Sequence, residues 1–427
     1  MGGRTPLPAG RARVAGQVAV VLLLSAVVAG VSTVVPNDPW HDFFDLRVYR
    51  GAVVWWLDGR PLYDFTYGRS PYGFTYPPFA ALLVVPMAAL PFWAVASAHT
   101  LLNVAVLAGL TRWLVVPVAR RHGWPLPFAW VVAVPALFVL EPVRETMGFG
   151  QVNLFLAALV LADVAALRRG SRWAGVGIGL AAAVKLTPGL FVVYLLLTGR
   201  RRAAGVAVST AAGATLLAAA VAPATSWRFW TQTLWETERV GRLDKTSNQS
   251  LLGALARLAD PGEPPRAVWL VLAVGVLALV LTRAVRAARA GDDLAGVALT
   301  GLAACLVSPV SWSHHFVWLV PALVVLVDLA AGAPSAPGTP RWWRDRSRVL
   351  AGSLAAVTTL VLASSSIWFA FALTGHHHDA GVRGIVVEDL YLLVTLAVVA
   401  ALPARLTVRR GGARRTAPSP PGGSSPR

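Results

Sequence analysis

Twelve apolar runs set the limits on what this chain can fold into. They lie near 14–35, 77–92, 95–117, 126–140, 151–167, 173–198, 203–222, 266–284, 294–310, 315–331, 348–373 and 385–403. Many are long enough to cross a hydrocarbon core of about 30 Å as a helix. Lipid offers no partners to backbone N–H and C=O groups, so consecutive spans of this kind fold as helices. Only 14% of the 427 residues are charged, against about a quarter in soluble domains. The expectation is an all-α polytopic membrane protein with about 11–13 membrane helices. The first run, Val14 to Val35, is too long for a signal-peptide core and is followed by many further spans. It reads as an uncleaved anchor that leaves residues 1–13 in the cytoplasm.

The charge excess, 38 Lys+Arg over 20 Asp+Glu, raises the question of nucleic acid, and its distribution answers against it. The arginines stand in short clusters beside apolar runs: Arg168, Arg169 and Arg172; Arg200 to Arg202; Arg283, Arg286 and Arg289; Arg341, Arg344, Arg346 and Arg348; Arg409 and Arg410. Cytoplasmic loops are marked in this way, with anionic membrane lipids as the natural contacts. The single cysteine, Cys305, lies in an apolar run and cannot form an intramolecular disulfide, so redox chemistry is not expected. Residues 14–403 read as one transmembrane domain. Residues 404–427 read as a disordered basic cytoplasmic tail.

From residue 203 onwards, placing every arginine cluster on one side gives a consistent alternation. Upstream, two places break it. Arg168–Arg172 and Arg200–Arg202 flank "WAGVGIGLAAAVKLTPGLFVVYLLLTG", and a single span would put them on opposite sides. Pro188 breaks a helix there by removing a donor and clashing with the preceding turn. We expect two half-helices that enter and return, with Lys185 near their tip. Such broken backbone is tolerated only inside protein or beside a wet cavity. The region 77–117 needs a second irregularity.

Residues 36–76 form the first long external loop. In "DLRVYRGAVVWWLDG", Leu46, Tyr49, Val53 and Trp56 recur at helical spacing, which predicts an amphipathic helix at the membrane interface. Ionisable groups near membrane depth are costly and therefore become site candidates. Asp45 reads either as a solvated carboxylate paired with Arg47 or Arg50, or as an interfacial general base. Lys185 is one of only two lysines, with Lys245, in a chain that otherwise uses arginine. It reads either as a snorkelling cation or as a point charge for phosphate. His314 and His315 of "SPVSWSHHFVW" open a span. No third ligand stands at metal-site spacing, and "HHH" at 376–378 lies in another loop, so no metal is expected. "EPVRETMGFGQVN" and "RLDKTSNQSLLG" add Glu141, Arg144, Glu145, Gln151 and Asn153, then Asp244, Lys245, Asn248 and Gln249, on the same external side.

The segments "FDLRVYRGA", "GRPLYD", "FTYPPFAALL", "GQVNLFLAALVLAD", "AGVGIGLAAAVKLTPGLF", "NQSLLG" and "SPVSWSHHFVWLVPAL" occur in a telling order. The chain resembles, over roughly residues 14 to 403, the actinobacterial polyprenol-phosphate-mannose-dependent α-(1,2)-mannosyltransferases of glycosyltransferase family 87, which have the GT-C fold. The resemblance implies an inverting enzyme in the plasma membrane, with its active site on the extracytoplasmic side. It would move mannose from a polyprenyl-phosphate donor to a glycolipid or lipoglycan acceptor. The donor lipid is a co-substrate, and no cofactor is expected. Asp45 would be the base, and His315, slightly favoured over His314, would lie near the reacting sugar. Lys185, His314, Arg144, Gln151 and Asn153 would serve the donor phosphate and sugar. Arg47, Arg50, Tyr76, Asn248 and Gln249 would serve the acceptor. Other readings are a transferase of another polyprenyl-phospho-sugar such as arabinofuranose, a lipid or solute transporter, and a structural scaffold.

Overall fold

A computed structural model describes residues 41–260, 262–332, 341–368 and 381–402. The anchor 14–35, the histidines 376–378 and the tail 404–427 lie outside the described residues. Among the described residues the secondary structure is helical, with one isolated bridge between Asn248 and Trp312. Five helical segments are long and apolar enough to cross a membrane: Phe92–His122, Arg201–Val221, Arg266–Arg289, Ser313–Ala330 and Asp345–Ala363. A bent pair, Leu126–Val139 with Glu141–Gly148, forms a further broken span, and four shorter apolar helices accompany these. The chain is an all-α multi-pass membrane protein, and many of its spans are interrupted rather than continuous rods.

In chain order the helices are α1 (Phe44–Leu57), α2 (Pro78–Ala88), α3 (Phe92–His122), α4 (Leu126–Val139), α5 (Glu141–Gly148), α6 (Asn153–Arg168), α7 (Val176–Val184), α8 (Leu190–Leu197) and α9 (Arg201–Val221). They continue with α10 (Pro223–Thr231), α11 (Leu251–Ala259), α12 (Arg266–Arg289), α13 (Asp293–Val307), α14 (Leu319–Ala330), α15 (Arg341–Ala363), α16 (Gly381–Glu388) and α17 (Leu390–Ala401). The bundle has two chemically distinct ends. At one, Arg121 and His122 of α3 bond Asp328 of α14, and Arg168 of α6 and Arg200 before α9 both reach Asp293 of α13. Exposed tryptophans ring both levels, Trp124 and Trp173 at this basic end and Trp93, Trp227 and Trp235 at the other, as expected for a bilayer's two interfaces.

The segment 176–197 enters and returns. A Cβ on Gly175, whose φ is +112°, would lie 2.1 Å from the Ala203 carbonyl oxygen, and one on Gly179 would lie 2.4 Å from that of Ala207. Only five residues separate Leu197 from Ala203, so the start and the end of the segment sit side by side. One carboxylate, Asp293, receives the arginines that flank it. The glycines make this possible: Gly175 and Gly179 bring α7 against α9, and Gly177 brings it within 2.2 Å, measured from a built Cβ, of the Leu159 carbonyl on α6. At the tip, Lys185 is extended at φ −146°, ψ 130°, and Pro188 falls in a short 3-10 turn, Thr187–Gly189.

The irregularity required in 77–117 is α2. Its start follows Tyr76, which bonds Tyr49 of α1, and its end is held by Arg50 of α1, which donates to the carbonyls of Met87 and Leu90. Both ends of this 11-residue helix are therefore tied to neighbouring residues of one helix, and α2 does not cross. The 31-residue α3 then runs the full distance to the basic end, about 46 Å.

Helix α1 forms where the hydrophobic spacing predicts it. Its apolar face meets protein: Val48, Tyr49, Ala52 and Val53 pack with Leu62, Tyr63, Phe74, Ala80, Ala81 and Phe229 in a core of their own. The loop 59–77 therefore lies over α1 as a folded cap. Basic residues of the segment after α9 clasp this cap: Arg228 to Asp64, Arg239 to the Tyr63 carbonyl, and Lys245 to the Tyr72 hydroxyl.

Candidate active site

The site is built outward from the beginning of α1. No side chain caps this helix. Its first free donors, the N–H groups of Asp45 and Leu46, instead reach the Phe149 carbonyl at 3.0 and 3.1 Å. That approach requires Gly150, with φ +74°, because a Cβ there would stand 2.5 Å from Leu46 Cβ. Immediately before α1, three consecutive non-glycine residues are left-handed: His41 (φ 44°), Asp42 (φ 46°) and Phe43 (φ 54°). Each costs on the order of 1 kcal/mol, and such strain collects where function over-determines the backbone.

The Asp45 carboxylate lines a cavity of about 390 Å³. Its Oδ2 accepts from Gln151 Nε2 at 2.8 Å, the Gln151 Oε1 accepts from Tyr76 OH at 2.9 Å, and Tyr49 OH donates to Tyr76 OH at 3.0 Å. Burial pushes the Asp45 carboxyl up to about 6, against the pull of the Gln151 hydrogen bond, Lys185 and His41. A half-buried carboxylate of that basicity is ionised at neutral pH and still able to take a proton.

Lys185 enters the same cavity from the hairpin tip. Its Nζ lies 2.9 Å from His315 Nε2 and 3.3 Å from Asn153 Oδ1, with the Tyr76 ring 5.4 Å away. An ammonium only donates, so His315 Nε2 is the acceptor and its proton sits on Nδ1. Among the described residues no carboxylate lies within ion-pair distance of Lys185. His314 is buried at the cavity wall, and its Nε2 has no hydrogen-bond partner among the described residues. Its own carbonyl is fixed by Asn153 Nδ2 at 3.0 Å and Thr146 Oγ1 at 3.3 Å.

The structure thus brings Asp45, Tyr76, Gln151, Lys185, His314 and His315 to one cavity, and Asn153 supports two of them. The other sequence candidates stand elsewhere. Arg47 bonds Asp42 and covers the Phe92 ring, and Arg50 secures the end of α2. Arg144 is buried behind the site, donating to the Val139 carbonyl and Ser365 Oγ. Asn248 and Gln249 are fully buried and hold backbone: Asn248 at Leu243, Pro309 and Ser311, Gln249 at Thr246, Glu388, Tyr391 and Leu392. These five residues organise the walls and do not line the cavity. Conversely, Tyr49 and Trp312, which were not singled out as site residues, line it together with Glu145 and Lys245, which the sequence named without assigning a role. The repeated use of lysine at 185 and 245, in a chain of arginines, was the available signal for Lys245. Among the described residues no group of three or more His, Cys, Asp or Glu side chains is arranged to hold a metal ion.

The family model for glycosyltransferase family 87 matches residues 74–309. A polyprenol-phosphate-mannose-dependent α-(1-2)-phosphatidylinositol mannoside mannosyltransferase of Mycobacterium tuberculosis is 35% identical over 402 residues, 88% of this chain and 89% of the relative. A Mycolicibacterium smegmatis protein of the same description is 41% identical over 315 residues, 67% of this chain and 70% of its own. A second M. smegmatis protein, described as a phosphatidylinositol pentamannoside mannosyltransferase with the same donor dependence and linkage, is 34% identical over 325 residues, 73% and 76% of the two chains. No solved structure matches. Similarity over most of the length, on a helical membrane architecture with a polar cavity at one end, makes the chain a member of glycosyltransferase family 87 and a multi-pass membrane glycosyltransferase.

Proposed function

We propose that this enzyme transfers mannose from a polyprenyl-phosphate-mannose to a phosphatidylinositol mannoside or related lipoglycan, forming an α-(1→2) link with inversion. The observation that carries the reading is the meeting, in one cavity, of a carboxylate of raised pKa on α1 and an ammonium at the hairpin tip that has no carboxylate partner among the described residues. Asp45 accepts the proton of the acceptor hydroxyl as that oxygen bonds the anomeric carbon. The bond from that carbon to the phosphate oxygen breaks on the opposite face, and polyprenyl phosphate leaves with the bonding pair. With a pKa of about 6, roughly nine in ten Asp45 side chains are ionised at pH 7.

The leaving phosphate gains negative charge, and a pre-placed cation stabilises that charge most in the transition state. Lys185 has one N–H on His315 and one on Asn153, which leaves the third for a phosphate oxygen. His315 thereby orients the lysine, while the open Nε2 of His314 serves a sugar hydroxyl. The arginine-rich end faces the cytoplasm by the charge rule, which puts the cavity on the extracytoplasmic side, where both lipid substrates keep their polar groups. The lipid tails stay in the bilayer, so the reacting phosphate is confined to the level where Asp45 stands.

The test is transfer by the purified protein in nanodiscs, using radiolabelled polyprenyl-phosphate-mannose and a panel of phosphatidylinositol mannosides, with the product's linkage read by NMR. An α-(1→2)-mannosylated lipid supports the reading. Transfer only from a polyprenyl-phosphate-pentose, or only to non-lipid acceptors, contradicts it.

A further inference from the structure

The strained turn before α1 places an imidazole where the reaction scheme above leaves it without a task. His41 stacks on Phe149 with ring centroids 3.7 Å apart and planes 6° from parallel, and its Nε2 lies 3.7 Å from Glu145 Oε1. Phe149 is also the residue whose carbonyl receives the N–H groups of Asp45 and Leu46. The left-handed conformation of His41, Asp42 and Phe43 folds the chain back so that the ring covers the residue carrying that carbonyl. Glu145, on α5, is buried and accepts from Ser313 Oγ, the residue before the histidine pair.

We propose that His41 is the positioning residue of the base: held by Glu145 and stacked on Phe149, it fixes the peptide on which Asp45 hangs and, when protonated, places a positive charge beside it. This rests on the assignment of Asp45 as the base. The groups facing Asp45 are Gln151, Tyr49 and Tyr76, Lys185 from the hairpin tip, Glu145 from α5, and His41 itself. Those facing His41 are Glu145, Asp45 and His314. Lys185 and His41 both lower the Asp45 pKa, whereas burial raises it. Two of the three Lys185 donors are engaged on His315 and Asn153, and the third is the one assigned to the phosphate.

His41→Phe retains a ring for the stack and removes the charge. Its expected signature is a kcat lowered about ten-fold at neutral pH, donor and acceptor KM within about two-fold, and an acid limb of the kcat/KM profile moved up by about one pH unit. His41→Gln, also neutral, shows the same displaced limb and serves if His41→Phe does not fold. Adding Glu145→Gln to His41→Phe costs little more, because the carboxylate acts through the imidazole. An acid limb unchanged in both His41 variants overturns the proposal, as does a uniform loss at every pH that tracks a lower melting temperature. If Asp45→Asn retains activity, the base assignment itself has failed. An inactive Asp45→Asn beside an unshifted His41→Phe limb removes only the role of His41.

Discussion

The two ends of the hairpin 176–197 use cations in opposite ways. At its feet Arg168 and Arg200 converge on one carboxylate, Asp293, so both charges are met within the protein. At its tip Lys185 meets, among the described residues, the neutral acceptors Asn153 Oδ1 and His315 Nε2. The feet close a structure and the tip keeps a charge available. A salt bridge is weak evidence for stability taken alone, but here it lets the chain re-enter without stranding two arginine clusters on opposite sides of a membrane. Glycine at 175, 177 and 179 completes the arrangement, because helix α7 is wedged against the backbones of α6 and α9.

The sharpest way to break this contrast is to exchange charge for neutrality at each end. Lys185→Gln is expected to lower kcat/KM for the donor about 10²–10³-fold, with a melting temperature close to wild type, in a steady-state assay beside thermal unfolding. A matching loss with His315→Ala, and little further loss in the double variant, would show the two acting as one unit. Asp293→Asn should do the reverse. It leaves the part-buried Arg200 and the exposed Arg168 without their carboxylate, so the melting temperature should drop by a few degrees while kcat/KM stays within about three-fold.

A subtler prediction concerns the cost of keeping the base ionised. The Asp45 pKa rises from an ordinary 3.8 to about 6 in the folded protein, so the folded state binds its proton more tightly than the unfolded chain does. Its favourable contribution is complete below 3.8 and is lost as pH rises through 6. Asp45→Asn should therefore melt higher than wild type at pH 7.5, by a few degrees, and that advantage should shrink as pH falls toward 4. Smallest of all is Arg47→Ala. It removes a contact to the exposed Asp42 and to Phe92 outside the cavity, and should change either KM by less than about two-fold. A large acceptor effect there would move the acceptor path to the outer side of α1.

Much of this was legible in the sequence, for identifiable reasons. Arginine clusters report sidedness, and proline reports a broken helix. Together they locate the return of 176–197 and the lysine at its tip. The parity fault in 77–117 was equally visible, but its resolution was not, because it depends on Arg50 reaching carbonyls 37 to 40 residues away. Asp45 could be read as a base or as a surface ion pair. Its true partners, Gln151 and the Phe149 carbonyl, are about a hundred residues distant and joined by a glycine turn. Asn248 and Gln249 carried the same polar signal as Gln151. Amides that hold backbone and amides that hold a base look alike in one dimension, and only the packing of α11 and α17 separates them. The segment "EPVRETMGFGQVN" reads as a polar set on the external side before a span, and the structure makes it largely the buried helix α5, bent 73° from α4.

The most direct test of the central claim, that Asp45 is the base of a mannosyl transfer driven at the hairpin tip, is single-turnover transfer by wild type and Asp45→Asn in nanodiscs. Donor-lipid binding should be measured on the same samples. The account predicts unchanged donor binding and a transfer rate lowered about 10²–10⁴-fold in the variant. Transfer at the wild-type rate by Asp45→Asn would contradict it.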